Sequence, residues 1–170
     1  MKKGKQLLKN LVWVIPFMML GVSCSDDEND DMALTPLEIE INQLKAATAK
    51  YADIEVATNE GFFDVSGFVP NMGHHYLLPP RVDQTFVLEE PEIILYAPDE
   101  NGVMQFVAVE YVAPIEDLDN PGTPPEGFTG EEDEWEINPN LSQWQLHVWI
   151  VKENPDGIFS PTNSTVGNGS

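Results

Sequence analysis

The fold is decided by residues 92–113, which read EIILYAPDENGVMQFVAVEYVA. Two runs rich in β-branched and aromatic residues, 92–97 and 103–113, flank the turn-forming residues Pro98-Asp99-Glu100-Asn101-Gly102. Such runs favour strands, and turn residues at this spacing predict that the two strands pair as an antiparallel hairpin. Counting back from the turn places Glu110 on the same face of its strand as Phe106 and Ala108.

Two more segments have the character of strands. Residues 144–151 read WQLHVWIV and are rich in β-branched and aromatic residues, which predicts a third strand. Residues 74–78 predict a fourth strand, which Pro79 would end because proline cannot donate a hydrogen bond to a neighbouring strand.

The residues before these strands predict helices. Thr35-Pro36 followed by Glu38 is a capping-box pattern, and apolar residues then recur at helical spacing, which predicts an amphipathic helix over 36–50. Asp53 as an N-cap and Gly61 as a terminator predict a second short helix that ends at Glu60. Helices followed by strands indicate an α+β domain, with one or two helices packed on a small antiparallel sheet of about four strands.

Residues 115–140 are predicted to form a long acidic loop. They contain nine acidic residues, four prolines and no basic residue, a composition typical of solvated chain. The loop lacks the EF-hand pattern, although weaker calcium binding stays open. Trp135 is isolated among these acidic residues, so it is a candidate for contact with a glycan or protein ligand.

The first 24 residues have the order of a bacterial lipoprotein signal peptide. Lysines precede the apolar run LVWVIPFMML at 11–20, and small residues then lead to Cys24, the only cysteine. Ten apolar residues are too few to span a bilayer, which needs about 20, so a cleaved secretory signal is the better interpretation. The stretch 20–24 resembles a lipobox. This resemblance implies that residues 1–23 are removed and that Cys24 is lipidated.

The predicted mature chain begins with a tether. Residues 25–31 read SDDENDD, and five carboxylates in seven residues repel one another and keep the chain extended. We therefore predict an acidic tether over 24–34, a globular domain over 35–166 and a disordered tail over 167–170. The lipid predicts anchorage in the bacterial cell envelope, at the outer membrane. An acidic run after a lipidated cysteine also resembles a surface-export signal, and a plain spacer is the alternative.

The charge of the mature chain excludes some partners. Four of the eight basic residues precede Cys24, whereas all 29 acidic residues follow it, so the mature chain carries a formal charge of −25. Such a chain repels the phosphates of nucleic acids, which excludes nucleic acid as a partner. The composition does not predict an oligomeric state.

The sequence contains a candidate metal site, made of rare histidines and a glutamate whose burial costs free energy. The chain has only three histidines, His74, His75 and His147, and all fall on predicted strands. Neighbours on a strand point to opposite faces, so only one of His74 and His75 faces a given pocket. Glu110 lies in an apolar run, where a carboxylate is costly to bury unless it is paired or bound to a metal. Two imidazoles and a carboxylate would bind a divalent metal, Zn²⁺ or Fe²⁺, with open positions. The alternative is that all three are ordinary hydrogen-bonded strand residues.

Five short motifs occur in order along the chain. They are NMGHHY at 71–76, PEIILY at 91–96, VEY at 109–111, LHVW at 146–149 and NPDGIF at 154–159. Together they resemble an uncharacterised family of secreted and lipid-anchored bacterial proteins with the pattern GMGxHY…PExLxY…EY…LHVW…NPxGxF. The resemblance covers about residues 43–166, and Asn71 stands where the family has glycine. It implies that His75, rather than His74, belongs with Glu110 and His147, and it implies no activity.

The familiar catalytic signatures are missing from the sequence. It contains no GxSxG motif, P-loop or dinucleotide-binding glycine motif. The sequence therefore decides neither for nor against an enzyme. It leaves two functional hypotheses, a lipoprotein that binds a divalent metal and a surface module without catalysis that binds glycan or protein through exposed aromatic residues and the acidic loop.

Overall fold

The computed structural model describes residues 33–167. The predicted signal peptide, Cys24, almost all of the tether and the last three residues lie outside the described part. Residues 33–167 belong to one compact unit. Among the described residues, no helix combines the length and apolar character needed to cross a membrane.

Both predicted helices are present. Helix α1 spans Pro36–Thr48 and continues into a 3₁₀ turn, Ala49–Ala52. The capping box is confirmed, because the Thr35 hydroxyl accepts from the Glu38 N–H and the Glu38 carboxylate accepts from the Thr35 N–H. Helix α2 spans Ile54–Glu60, with the Asp53 side chain as its N-cap and Gly61 in the left-handed conformation at its end.

The sheet has six strands rather than about four. The strands are β1 Phe63–Val69, β2 Gly73–Leu77, β3 Ile93–Pro98, β4 Met104–Pro114, β5 Glu136–Asn138 and β6 Gln143–Val148. Their order across the sheet is β1-β2-β3-β4-β6-β5, and every neighbouring pair is antiparallel. Strands β2, β3, β4 and β6 are the predicted ones, and the β3–β4 hairpin is confirmed. An α+β fold is therefore correct, and the strand count was wrong.

The two missed strands are the edges of the sheet, where sequence patterns are weakest. Strand β1 reads FDVSGFV, so polar residues and Gly67 interrupt the apolar alternation, and its pairing with β2 shifts register between Asp64 and Phe68. Strand β5 has only three residues and lies within the segment predicted to be a loop. Both strands form because a neighbouring strand supplies hydrogen-bond partners, which a local pattern does not reveal.

The two faces of the sheet pack differently. One face lies against α1 and α2, where Leu44 and Ala57 are fully buried with Tyr96 and Tyr111 from the sheet. The opposite face has a smaller apolar cluster, and we call it the open face. That cluster contains Ile93, Leu95, Ala97, Val107, Ala108, Val112 and Trp149.

A bulge in the central hairpin corrects one predicted orientation. Leu95 pairs with Ala108, but the next residue, Tyr96, pairs with Phe106. The extra residue in β4 reverses the alternation, so that Phe106 packs on the helix side whereas Ala108 belongs to the open face. Glu110 therefore shares a face with Ala108, as predicted, but not with Phe106.

The acidic loop is tied to the domain at several points. Phe128 is buried in the core cluster on the helix side of the sheet, with 5% of its surface exposed. The Glu40 carboxylate on α1 accepts from both the N–H and the hydroxyl of Thr129. The segment is therefore a loop over most of its length, as expected, but it is fastened to helix and core and ends in β5.

Candidate metal centre

His75, Glu110 and His147 converge on the open face. The His75 Nε2 atom lies 3.6 Å from Glu110 Oε2, and the His147 Nε2 atom lies 3.8 Å from the same oxygen. The donor atoms of the three side chains all lie within 4.8 Å of one another. The structure thus brings together the three residues that the sequence singled out for a metal.

Curling of the sheet is what makes this convergence possible. Glu110 and His147 are direct cross-strand partners on β4 and β6, but His75 on β2 is three strands away from β6. In a flat sheet three strand spacings amount to about 14 Å. The ring centroids of His75 and His147 are only 6.0 Å apart, so the open face is the concave one and the site lies at its centre.

The site is buried, and part of its hydrogen-bonding capacity is unused. The side chains of His75, Glu110 and His147 are 11%, 4% and 2% exposed. Within residues 33–167, neither Glu110 Oε2 nor His147 Nε2 has a hydrogen-bond partner. Buried polar atoms nearly always have a bonding partner in folded proteins. Two atoms that face each other without a partner therefore indicate that an ion or a molecule binds between them.

Burial also favours the neutral form of all three side chains when no cation is bound to them. It lowers the pKa of His75 to about 4 and that of His147 to about 3, because the protonated imidazole loses its hydration. It raises the pKa of Glu110 to about 8, with a smaller contribution from the nearby Glu92 carboxylate. Both imidazoles are therefore in the neutral form that binds metals.

Ser66 on β1 orients the His75 ring. Its hydroxyl donates to the Gly67 carbonyl at 2.7 Å and accepts from the His75 backbone N–H at 3.0 Å. Because its single proton is used on that carbonyl, the 3.0 Å contact with His75 Nδ1 has Nδ1–H as the donor. This tautomer leaves the lone pair on Nε2, the nitrogen directed at Glu110. A partner on the second ring nitrogen is the usual support of a metal-binding histidine.

A hollow of about 530 Å³ opens in front of the three residues. Side chains from both edge strands contribute to its wall, among them Val65 on β1 and Asn138 on β5. A volume of this size is typical of sites for small molecules. A metal held by three protein ligands at its floor would keep positions that face this space.

The other candidate residues lie elsewhere. His74 points away from the hollow, and its Nδ1 atom lies 2.8 Å from the Asp64 carboxylate at the surface. Trp135 is half-buried and packs edge-on against Phe86 on the helix side of the sheet, so it is not part of the metal centre. Its predicted contact with a glycan or protein stays a prediction.

Two residues of the site region were missed in the sequence. Ser66 lies in the unpredicted strand β1, and no local pattern marks a serine as the partner of a histidine nine residues later. Gln145 lines the hollow, and it could have been found, because it is two residues from His147 on one strand and therefore shares its face.

The comparisons with known proteins add no identification. No known protein family, curated protein or solved structure matches the chain significantly. The resemblance to the uncharacterised family stays a prediction. The left-handed backbone of Asn71, with φ of 62°, is a conformation that both asparagine and glycine adopt.

Proposed function

We propose that this protein is a lipoprotein of the bacterial envelope whose folded domain binds one divalent transition-metal ion, Zn²⁺ or Fe²⁺. His75, Glu110 and His147 would each supply one ligand. The observation that carries the proposal is the pair of buried, unpartnered atoms, Glu110 Oε2 and His147 Nε2, which face each other at 3.8 Å.

Hydrogen bonding among the three side chains does not account for this arrangement. The distances of 3.6 and 3.8 Å exceed those of hydrogen bonds that involve oxygen and nitrogen. Ligands bound to one metal at about 2.0–2.2 Å lie roughly 3.0–3.5 Å apart. A shift of a few tenths of an ångström brings each imidazole to that distance from Glu110 Oε2. The donor atoms lie up to 4.8 Å apart, so the two imidazoles must also move toward each other by roughly 1 Å for one ion to contact all three residues.

The nitrogen and oxygen donors of these three side chains restrict which metal ions are expected to bind. Two neutral imidazoles and one carboxylate suit Zn²⁺ and Fe²⁺ better than Ca²⁺ or Mg²⁺, which prefer oxygen ligands. Three protein ligands also leave positions for water or a substrate, as in catalytic rather than structural zinc sites.

Thermal unfolding with and without Zn²⁺ tests the proposal. At a free Zn²⁺ concentration one hundred times the dissociation constant, binding stabilises the folded state by about 2.7 kcal/mol, which raises the Tm by on the order of 10 °C. We expect His147→Ala and the nearly isosteric Glu110→Gln to abolish this rise.

His74→Ala is the matched control, because His74 neighbours His75 but points to the surface. It should keep the full stabilisation by Zn²⁺. Equal stabilisation of the wild type and all three variants would mean diffuse binding to surface carboxylates, and the metal centre would be rejected.

The lipoprotein part of the proposal depends on the sequence of residues 1–24. Cys24→Ala removes the only residue that could carry the lipid, so the protein should accumulate as an uncleaved precursor or be released from the membrane. Fractionation and the mass of the product distinguish the outcomes. A Cys24→Ala protein of mature length that remains in the membrane would contradict the assignment.

A further inference from the structure

The hollow in front of the metal centre has a largely apolar wall. Apolar side chains from several strands and connections line it, including Val65, Met72, Leu77, Ile93, Val112 and Leu141. Val65 and Leu141 are 49% and 64% exposed at its margin. Exposed apolar side chains around a concave site favour a ligand with an apolar body.

One polar group in the hollow is arranged as a donor. Asn138 Nδ2 donates to Gln145 Oε1 at 3.0 Å, which fixes the Gln145 amide and leaves its Nε2 hydrogens available. Gln145 precedes His147 by two residues on β6, so both side chains face the hollow. An oxygen atom of a ligand bound at the metal can therefore accept from Gln145.

The charge of the hollow limits the charge of the ligand. None of the four Lys and Arg residues within 33–167 lines it. Arg81, close by in sequence to the lining residue Val82, instead lies over the Phe62 ring on the helix side and donates to the Pro91 carbonyl. A divalent ion with the Glu110 carboxylate leaves one net positive charge, which a single anionic group neutralises.

We infer that the hollow binds a small monocarboxylate with an apolar body. One carboxylate oxygen binds the metal, the other accepts from Gln145 Nε2, and the apolar body lies against the wall that contains Ile93 and Val112. A second anionic group would be placed among apolar side chains with no cation beside it. The inference rests on the proposed metal centre.

The test uses the full-length protein loaded with Co²⁺, whose visible absorption reports on its ligands. Three carboxylates are titrated: acetate, hexanoate and the six-carbon dicarboxylate adipate. Hexanoate should change the cobalt spectrum and bind at least tenfold more tightly than acetate, because its extra methylenes are buried. Adipate should bind at least tenfold more weakly than hexanoate, because its second carboxylate is desolvated without a partner.

A variant tests the amide independently. Gln145→Glu keeps the acceptor for Asn138 but replaces the free N–H donor by a negative oxygen, so hexanoate affinity should fall at least tenfold while Co²⁺ still binds. Gln84→Glu, the same change at an exposed position outside the hollow, should leave hexanoate affinity unchanged.

The outcomes distinguish a failure of the proposed metal centre from a failure of the proposed carboxylate binding. If Co²⁺ does not bind in the absence of carboxylate, both are rejected. If Co²⁺ binds but hexanoate leaves its spectrum unchanged, or if adipate binds as tightly as hexanoate, the metal centre stands and the monocarboxylate is rejected.

Discussion

Glu92 is a second buried carboxyl group, and at the residue scale it predicts how stability depends on pH. It is 3% exposed and accepts from the Val112 N–H at 3.1 Å. Burial raises its pKa to about 7. In the unfolded chain the group ionises near pH 4.5, so between about pH 4.5 and 7 the unfolded state loses a proton that the folded state keeps. The free energy of unfolding therefore falls as pH rises through this range and stays lower above it.

Glu92→Gln should remove this decrease in the free energy of unfolding, because the amide cannot ionise and its oxygen can still accept from the Val112 N–H. Since the pKa rises from 4.5 to about 7 and each unit corresponds to about 1.4 kcal/mol, we expect the variant to be more stable than the wild type by on the order of 3 kcal/mol at pH 8 and similar to it at pH 4. Urea unfolding of the metal-free protein at both pH values measures this difference. Glu90→Gln, at an exposed neighbouring position, is the control. Parallel pH profiles for wild type and Glu92→Gln would show that Glu92 is not held neutral.

At the same scale, the composition predicted the candidate metal-binding residues but not the residue that hydrogen-bonds to one of them. Three histidines in 170 residues and a glutamate inside an apolar strand stand out without any structure. Only the family resemblance favoured His75 over His74, because alternation alone leaves open which neighbour faces inward. Ser66 and the tautomer that it fixes depend on contacts between strands, which residue types do not encode.

At the scale of elements, Gly73 marks a close approach of β2 to β3. Its φ is 101°, and a Cβ atom there would lie 2.5 Å from the Tyr96 carbonyl oxygen. Gly73→Ala therefore combines an unfavourable φ with a backbone clash, and we expect it to cost roughly 3 kcal/mol or more in the free energy of unfolding.

Gly102→Ala is the matched control for this substitution. Gly102 also has a positive φ, 77°, but its Cβ would meet nothing within 4 Å, so the cost should be only about 1 kcal/mol. Urea unfolding of both variants separates backbone conformation from contact. Equal destabilisation would mean that the close approach of β2 to β3 contributes nothing.

Elements with strong local signals were predicted well. The capping box at Thr35, the αL end of α2 at Gly61 and the turn after Pro98 each depend on residues within a few positions, and each is confirmed. Strands β1 and β5 and the bulge in β4 were missed because they depend on pairing with residues far away in the chain. The bulge matters most, since it decides which side chains share a face with Glu110.

At the scale of the whole molecule, the site is a product of sheet curvature. Strand order could be guessed in part from the hairpin, but no sequence pattern gives the curl that brings His75 within 6.0 Å of His147 across three strands. The same curl produces the hollow and turns two unpredicted edge strands into its walls. The sequence therefore predicted which three residues come together, whereas the three-dimensional arrangement supplies the hollow in front of them.

The most direct test of the metal centre is the number of Zn²⁺ ions bound per chain at equilibrium. Dialysis against a low concentration of Zn²⁺ with a large excess of Mg²⁺ suits this acidic chain, because Mg²⁺ occupies surface carboxylates but competes poorly for imidazoles. We predict one tightly bound Zn²⁺ per chain for the wild type and for Glu100→Gln, an exposed control, and none at the same free Zn²⁺ for Glu110→Gln. Zinc that is displaced completely by Mg²⁺ from the wild type, or retained equally by Glu110→Gln, would contradict a metal centre at His75, Glu110 and His147.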